Sequence, residues 1–170
     1  MNDDIGNYIH RVLTFLYQYF GGRVPEPHEL DDDDKRILAK IAETRDRIDG
    51  LMAEVRERQS LVEVLTLVKE ANSYLNLKEP WKLQKTAPEK AATTLYTASQ
   101  IVASLAVFLE IFTPDTARHL RNVIGADFNL SGSWRQLGET IIKPNTQITR
   151  PKPLFRKVSE KEILQKSEGI

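Results

Sequence analysis

A chain of 170 residues, 41% of them hydrophobic, is long enough to bury one sizeable core. Its 24 Lys and Arg balance 24 Asp and Glu, which argues against indiscriminate attraction to polyanions but leaves room for a small, shaped nucleic-acid site. The lack of cysteine excludes disulfides, thiolate metal sites and cysteine nucleophiles, and fits a reducing compartment. Met-Asn-Asp-Asp has neither the basic nor the apolar region of a signal peptide. The longest apolar run, Ile101 to Phe112, is 12 residues, short of a bilayer span.

The chain reads as a succession of helices. Ile5, Ile9, Val12, Leu13, Leu16 and Phe20 make a broad apolar stripe over a first helix from Ile5 to Phe20, with Asp3 and Asp4 placed to cap it. Asn7, Arg11 and Phe15 are four apart and share a face beside that stripe. Gly21-Gly22 ends the helix, and Val24-Pro25-Glu26-Pro27 makes a stiff connector. Asp31 to Asp34 read as an acidic helix start, because consecutive carboxylates do not converge on a metal without a dedicated loop. A second helix then runs from about Asp33 to Arg56, and a third from about Gln59-Ser60 through Val62, Leu65, Val68, Ala71 and Leu75.

Pro80 lacks a donor and restrains Glu79, which places the end of the third helix near Leu77 and a corner at Tyr74 to Leu83. Trp81 on that corner is either a plug over the core or an exposed stacking surface. Pro88 opens the most apolar helix, to Phe112, whose wide apolar coverage makes it the central staff of a bundle. Pro114 starts a short helix, Thr116 to Ile124, stopped by Gly125. Beyond it Trp134, Leu137 and Gly138 lie in a mostly polar stretch. Ile141-Ile142-Lys143-Pro144 and Pro153-Leu154-Phe155-Arg156 read as extended pieces laid across the bundle, with Lys143, Arg150, Lys152, Arg156 and Lys157 giving a basic bias. A charged tail follows Val158.

No catalytic constellation emerges. His10, His28 and His119 are scattered, and neither a glycine-rich phosphate loop after a strand nor a GxSxG elbow occurs. Glu110, inside the apolar helix, is read as the partner of an Arg or Lys. What remains is recognition: unpaired RNA bases stack on held aromatic rings and hydrogen-bond to Arg or Asn, which Trp81, Arg11 and Asn7 can supply. The competing reading packs Trp81 down on the bundle end and pairs Arg11 with an acid of the second helix.

Ile5-Gly6-Asn7-Tyr8-Ile9-His10-Arg11-Val12-Leu13 with Phe20-Gly21-Gly22, Ala71-Asn72-Ser73-Tyr74 leading to Glu79-Pro80-Trp81-Lys82-Leu83, the Leu95 to Thr116 stretch and Pro153 to Lys157 together resemble the anticodon-binding domain of the methionyl-tRNA synthetase family, in its archaeal-like form. The resemblance spans roughly residues 4 to 158. It implies an all-α helix bundle of the class I aminoacyl-tRNA synthetase type with short extended C-terminal segments, a domain at 1–158 and a tail or truncated linker at 159–170. It implies binding of tRNA(Met), initiator and elongator, through the CAU anticodon. Trp81 then stands where an anticodon base stacks, Arg11 where a polar or basic residue contacts the bases, and Asn7 on a family pattern. Phe15 stands where some bacterial members carry arginine. The HIGH-like and KMSKS-like motifs of a full synthetase do not occur. The resemblance therefore implies no catalysis and no cofactor in this chain, ATP and Mg serving a catalytic domain in cis or in trans, a cytoplasmic location, and no membrane or DNA partner. The chain is expected to be an expressed domain, a fragment or a separately encoded module; a synthetase-derived structural module that has lost RNA contact is the alternative.

Overall fold

The structure, a computed structural model, describes residues 2–125 and 130–150, apart from the side chains at 2, 3, 130 and 131. The described residues form seven helices: α1 (Asn2–Phe20), α2 (Asp32–Ala53), α3 (Glu57–Lys78), α4 (Pro80–Thr86), α5 (Pro88–Phe112), α6 (Pro114–Ile124) and α7 (Leu130–Arg135). The expected all-α bundle is what is found. The capping expected of Asp3, the segment from Pro153 to Arg156, Lys152, Lys157 and the tail at 159–170 lie outside the described residues.

α5 is the staff. Every residue from Ala91 to Leu109 is buried, and α1, α2, α3, α4, α6 and α7 all pack on it. Its small residues allow that many neighbours to approach. Ser99 and Ser104 satisfy their buried hydroxyls by donating to the carbonyls of Leu95 and Gln100, at 2.6 and 2.8 Å. By length and composition the helix could cross a membrane, which corrects the reading of Ile101–Phe112 as the longest apolar unit. Here, however, 83% of its most apolar stretch is buried inside the bundle. Glu110 meets Arg121 of α6 at 3.1 Å, close enough for an ion pair, so the odd acid in the apolar helix has its expected basic partner.

The aspartate run starts a helix as expected. Asp31 Oδ1 accepts from the backbone of Asp33 and Asp34, at 3.0 and 3.1 Å, and Asp34 Oδ2 accepts from the backbone of Asp31 at 3.0 Å, a reciprocal capping box. α2 stops at Ala53, short of Arg56. Val55 sits at φ +59°, a conformation a β-branched residue adopts only where the chain must turn.

Pro80 both stops and starts. α3 runs to Lys78, Glu79 adopts a left-handed conformation (φ 44°), and Pro80 is the first residue of α4. The segment read as a simple corner thus carries a seven-residue helix, because a proline that breaks the helix behind it is already shaped for the first turn of the next. Pro88 and Pro114 act the same way at α5 and α6. α7 was not expected from its polar sequence; it is anchored by Trp134, which lies edge-on to Phe108 at 5.5 Å and donates from Nε1 to Asp49 at 2.9 Å.

The segment at Ile141-Ile142, irregular with a turn at 144–145, is held on α5 by a residue that composition did not single out. Gln100, 1% exposed in the middle of α5, accepts from the backbone of Ile141 and Ile142 at 2.9 and 3.2 Å and donates to the carbonyl of Ile142 at 2.7 Å. Farther on, the chain returns to the end of α1. Val24 donates to Thr146 (3.0 Å), Asn145 to Val24 and Ile148 to Gly22 (both 2.8 Å). Gly125, at φ +64°, admits this strap, since a Cβ there would lie 2.5 Å from the Gln147 carbonyl. Replacing Gln100 with Leu leaves three backbone groups without partners. The expected cost is about 1–2 kcal/mol, read as a lower urea midpoint with faster amide exchange at Ile141 and Ile142; unchanged exchange there would contradict the role given to Gln100.

Candidate nucleic-acid interface

The candidate residues divide between two elements. α1 carries Asn7, Arg11 and Phe15 at i, i+4 spacing, so they line one flank of the helix while Ile5, Ile9, Val12 and Leu16 bury the other. The α3–α4 corner carries Trp81 in the first turn of α4, with Pro80 buried beneath it. Packing of α1 against α3 brings the two sets together.

Trp81 is half-buried, neither a plug nor a free-standing platform. Its ring is tilted against Phe15, with centroids 5.6 Å apart and planes at 37°. The Arg11 guanidinium lies 5.7 Å from the centre of the Trp81 ring, within cation–π range. Phe15 in turn stacks on Tyr19, at 5.9 Å and 17°. Three of the four sequence candidates, Arg11, Phe15 and Trp81, therefore form one cluster. Asn7 is exposed one turn before Arg11 and extends the row without belonging to that cluster. Tyr19 is the member that sequence reasoning missed, although the same spacing of four, continued one step past Phe15, points to it.

Arg11 does not pair with an acid of the second helix. Its Nη1 donates to Asn72 Oδ1 at 3.1 Å and its Nη2 to Asn76 Oδ1 at 3.0 Å, both on α3. The two asparagines are one helical turn apart, so their amides reach the two prongs of the guanidinium fork together. Among the described residues no carboxylate forms an ion pair with Arg11.

Behind the corner lies a buried polar knot. Asp34 is 2% exposed; its carboxylate accepts from the Tyr74 hydroxyl at 2.6 Å and faces Lys78 Nζ at 3.0 Å. Lys78 also bonds Asp31 and lies 5.7 Å from the centre of the Tyr74 ring. Burial, reinforced by the bond to Asp34, pushes the Tyr74 hydroxyl far above its ordinary pKa, so it remains a donor. Burial pulls the Lys78 ammonium down, but its bonds to Asp31 and Asp34 outweigh this and hold it above its usual range. Asp31 is lowered, first by the hydrogen bond from Lys78. The knot ties the last turn of α3 to the start of α2, one residue before the left-handed Glu79. The mount of Trp81 is therefore fixed from behind.

A held indole, a second pair of stacked rings, a guanidinium and exposed amides are equipment for stacking and edge recognition of unpaired bases. No group of three or more His, Asp or Glu placed to hold a metal ion occurs among the described residues. His10, His28 and His119 are exposed.

The chain is similar to known proteins over most of its length. The family model for the anticodon binding domain of methionyl tRNA ligase matches residues 24–168. The methionine–tRNA ligase of Metallosphaera sedula is 34% identical over 172 residues, covering 98% of this chain and 30% of the relative. That of Methanopyrus kandleri is 35% identical, covering 98% of this chain and 24% of the relative. Methionyl-tRNA synthetase from Mycobacterium tuberculosis, solved bound to methionyl-adenylate, superposes on 92% of this chain and 31% of its own with a TM-score of 0.83 at 24% identity, a likeness of fold. The chain spans less than a third of the length of each of these proteins.

Proposed function

The chain belongs to the family of anticodon-binding domains of methionyl-tRNA ligases, and from that premise we propose that it binds tRNA(Met) by reading the CAU anticodon on the α1 flank and the α3–α4 corner. Trp81 offers the stacking surface. Arg11 supplies the charged donor, Phe15 backs the indole, and Asn7 adds an amide one turn away. The observation that carries the reading is the convergence of Arg11, Phe15 and Trp81 from two helices into one half-exposed cluster.

Methionine activation and transfer to the tRNA belong, on this reading, to a catalytic domain acting in cis or in trans in the cytoplasm. ATP and Mg serve that domain. The residues described here do not fit them: the glycines with positive φ sit at helix ends and turns, not in a phosphate cradle after a strand. Neither DNA nor a membrane is a partner, and 1–158 is the binding unit.

The test is titration of the chain with a CAU anticodon stem-loop and with a scrambled-anticodon hairpin of equal length at one fixed salt concentration, because phosphate attraction alone is salt-sensitive and sequence-blind. The CAU hairpin is expected to bind at least about tenfold more tightly, the scale of one or two well-read bases. Equal affinities would favour a synthetase-derived module that docks to protein and has lost its RNA contact.

A further inference from the structure

The partners of Arg11 carry a consequence for its charge. An arginine held on a helical protein surface usually meets carboxylates, which fix its geometry and cancel its charge together. Here both prongs are held by amide oxygens, Asn72 at 3.1 Å and Asn76 at 3.0 Å. The orientation of the Asn72 amide is set independently. Its Nδ2 donates to the Val68 carbonyl at 3.2 Å, leaving Oδ1 to face the guanidinium. The chain holds 24 Asp and Glu, yet among the described residues both prongs of Arg11 meet amides and no carboxylate pairs with it.

We propose that Asn72 and Asn76 form a charge-neutral clamp that presents Arg11 beside Trp81 as a pre-oriented, uncompensated cation for the anionic loop of the RNA. This rests on the anticodon-binding reading above and assigns α3 a positioning role in it. Two amides restrict the guanidinium as two acids would, so the entropy of fixing a long side chain is spent before the ligand arrives. They leave the full positive charge for the ligand, and at a half-exposed site that charge is only partly screened. The donors not used by the asparagines remain for phosphate oxygens or base edges. Asn72 and Asn76 need touch no RNA atom; they act through Arg11.

The discriminating variant changes charge and almost nothing else. Asn76→Asp preserves the size and the acceptor that faces Nη2, and it gives Arg11 an ionic partner. The unfolding midpoint is expected to stay within about 2 °C of the parent, whereas affinity for the CAU hairpin at low salt falls about five- to tenfold. Asn76→Ser removes the bond but keeps neutrality, and is expected to lose about twofold. Arg11→Gln sets the floor.

The outcomes separate cleanly. If the parent prefers the CAU hairpin and Arg11→Gln weakens it, while Asn76→Asp binds as the parent does, the clamp's neutrality is irrelevant and the proposal is overturned. Equal losses for the Asp and Ser variants would also overturn it, since geometry alone would then explain the asparagines. A parent that does not distinguish the hairpins overturns the anticodon reading itself, and the clamp with it.

Discussion

Trp81→Ala is expected to weaken binding of a CAU stem-loop by ~1–3 kcal/mol, the loss of one base stacked on an aromatic face. The magnitude follows from the ring's position. Phe15 and Arg11 restrict the indole, so it is ordered before RNA binds and stacking is not offset by the entropy of fixing it. The same contacts mean that alanine also removes packing from Phe15. Trp81→Phe is the control, retaining a ring in van der Waals contact with Phe15 and most of the stack. The measurement pairs hairpin affinity with far-ultraviolet helicity. An alanine variant that keeps its helicity and binds like the parent would falsify the role assigned to Trp81.

Asp34→Ala is expected to cost about 3 kcal/mol of folding stability, the scale of removing one member of a buried ionic cluster. Three things are lost together. The Tyr74 hydroxyl, whose pKa burial raises, loses its acceptor. Lys78, whose side chain is 11% exposed, keeps only Asp31. The α2 start loses the reciprocal half of its capping box. Asp34→Asn retains an acceptor for Tyr74 and should lie between parent and alanine. Urea unfolding at constant m-value reads the difference, and a loss under about 1 kcal/mol for alanine would show that the knot is dispensable. Because the knot anchors the turn before Glu79, RNA affinity of the folded alanine variant should fall as well.

Most of the bundle was readable from periodicity and prolines, because both act within one turn of the chain. Pro88 and Pro114 start helices where expected, and the Asp31–Asp34 run caps one. Pro80 obeys the same rule on both sides: the sequence marks it as a stop for α3, and its fixed φ also suits the first turn of α4. Cross-helix pairing was not readable. Nothing in the order of residues says that Arg11 meets Asn72 and Asn76, 61 and 65 positions away, in preference to the many acids of α2. Asp34 shows the same limit. Four aspartates look alike in sequence, and only the tertiary fold buries this one under Tyr74 and Lys78. Nothing in the sequence around Gln100 marks its role, yet its two-sided amide suits it to hold the backbone of Ile141 and Ile142. At the site, stacking chemistry points to Trp81, Arg11 and Asn7 and the resemblance adds Phe15, while the mutual contact of Arg11, Phe15 and Trp81 is supplied by the packing of α1 on α3.

The strap that joins residues 145–148 to Gly22–Val24 also bears on the order of folding. Contacts between α2 and α3 or between α5 and α6 close over short stretches of chain and can form early, whereas Gly22 meets Gln147 across 125 positions. Closing a loop of that length is entropically costly before any contact rewards it. During synthesis, α1 therefore has its flank residues in place long before the segment that ties down its end has left the ribosome. The contact that ties down the end of α1, the helix that carries Arg11 and Phe15, forms only after residues 145–148 have emerged.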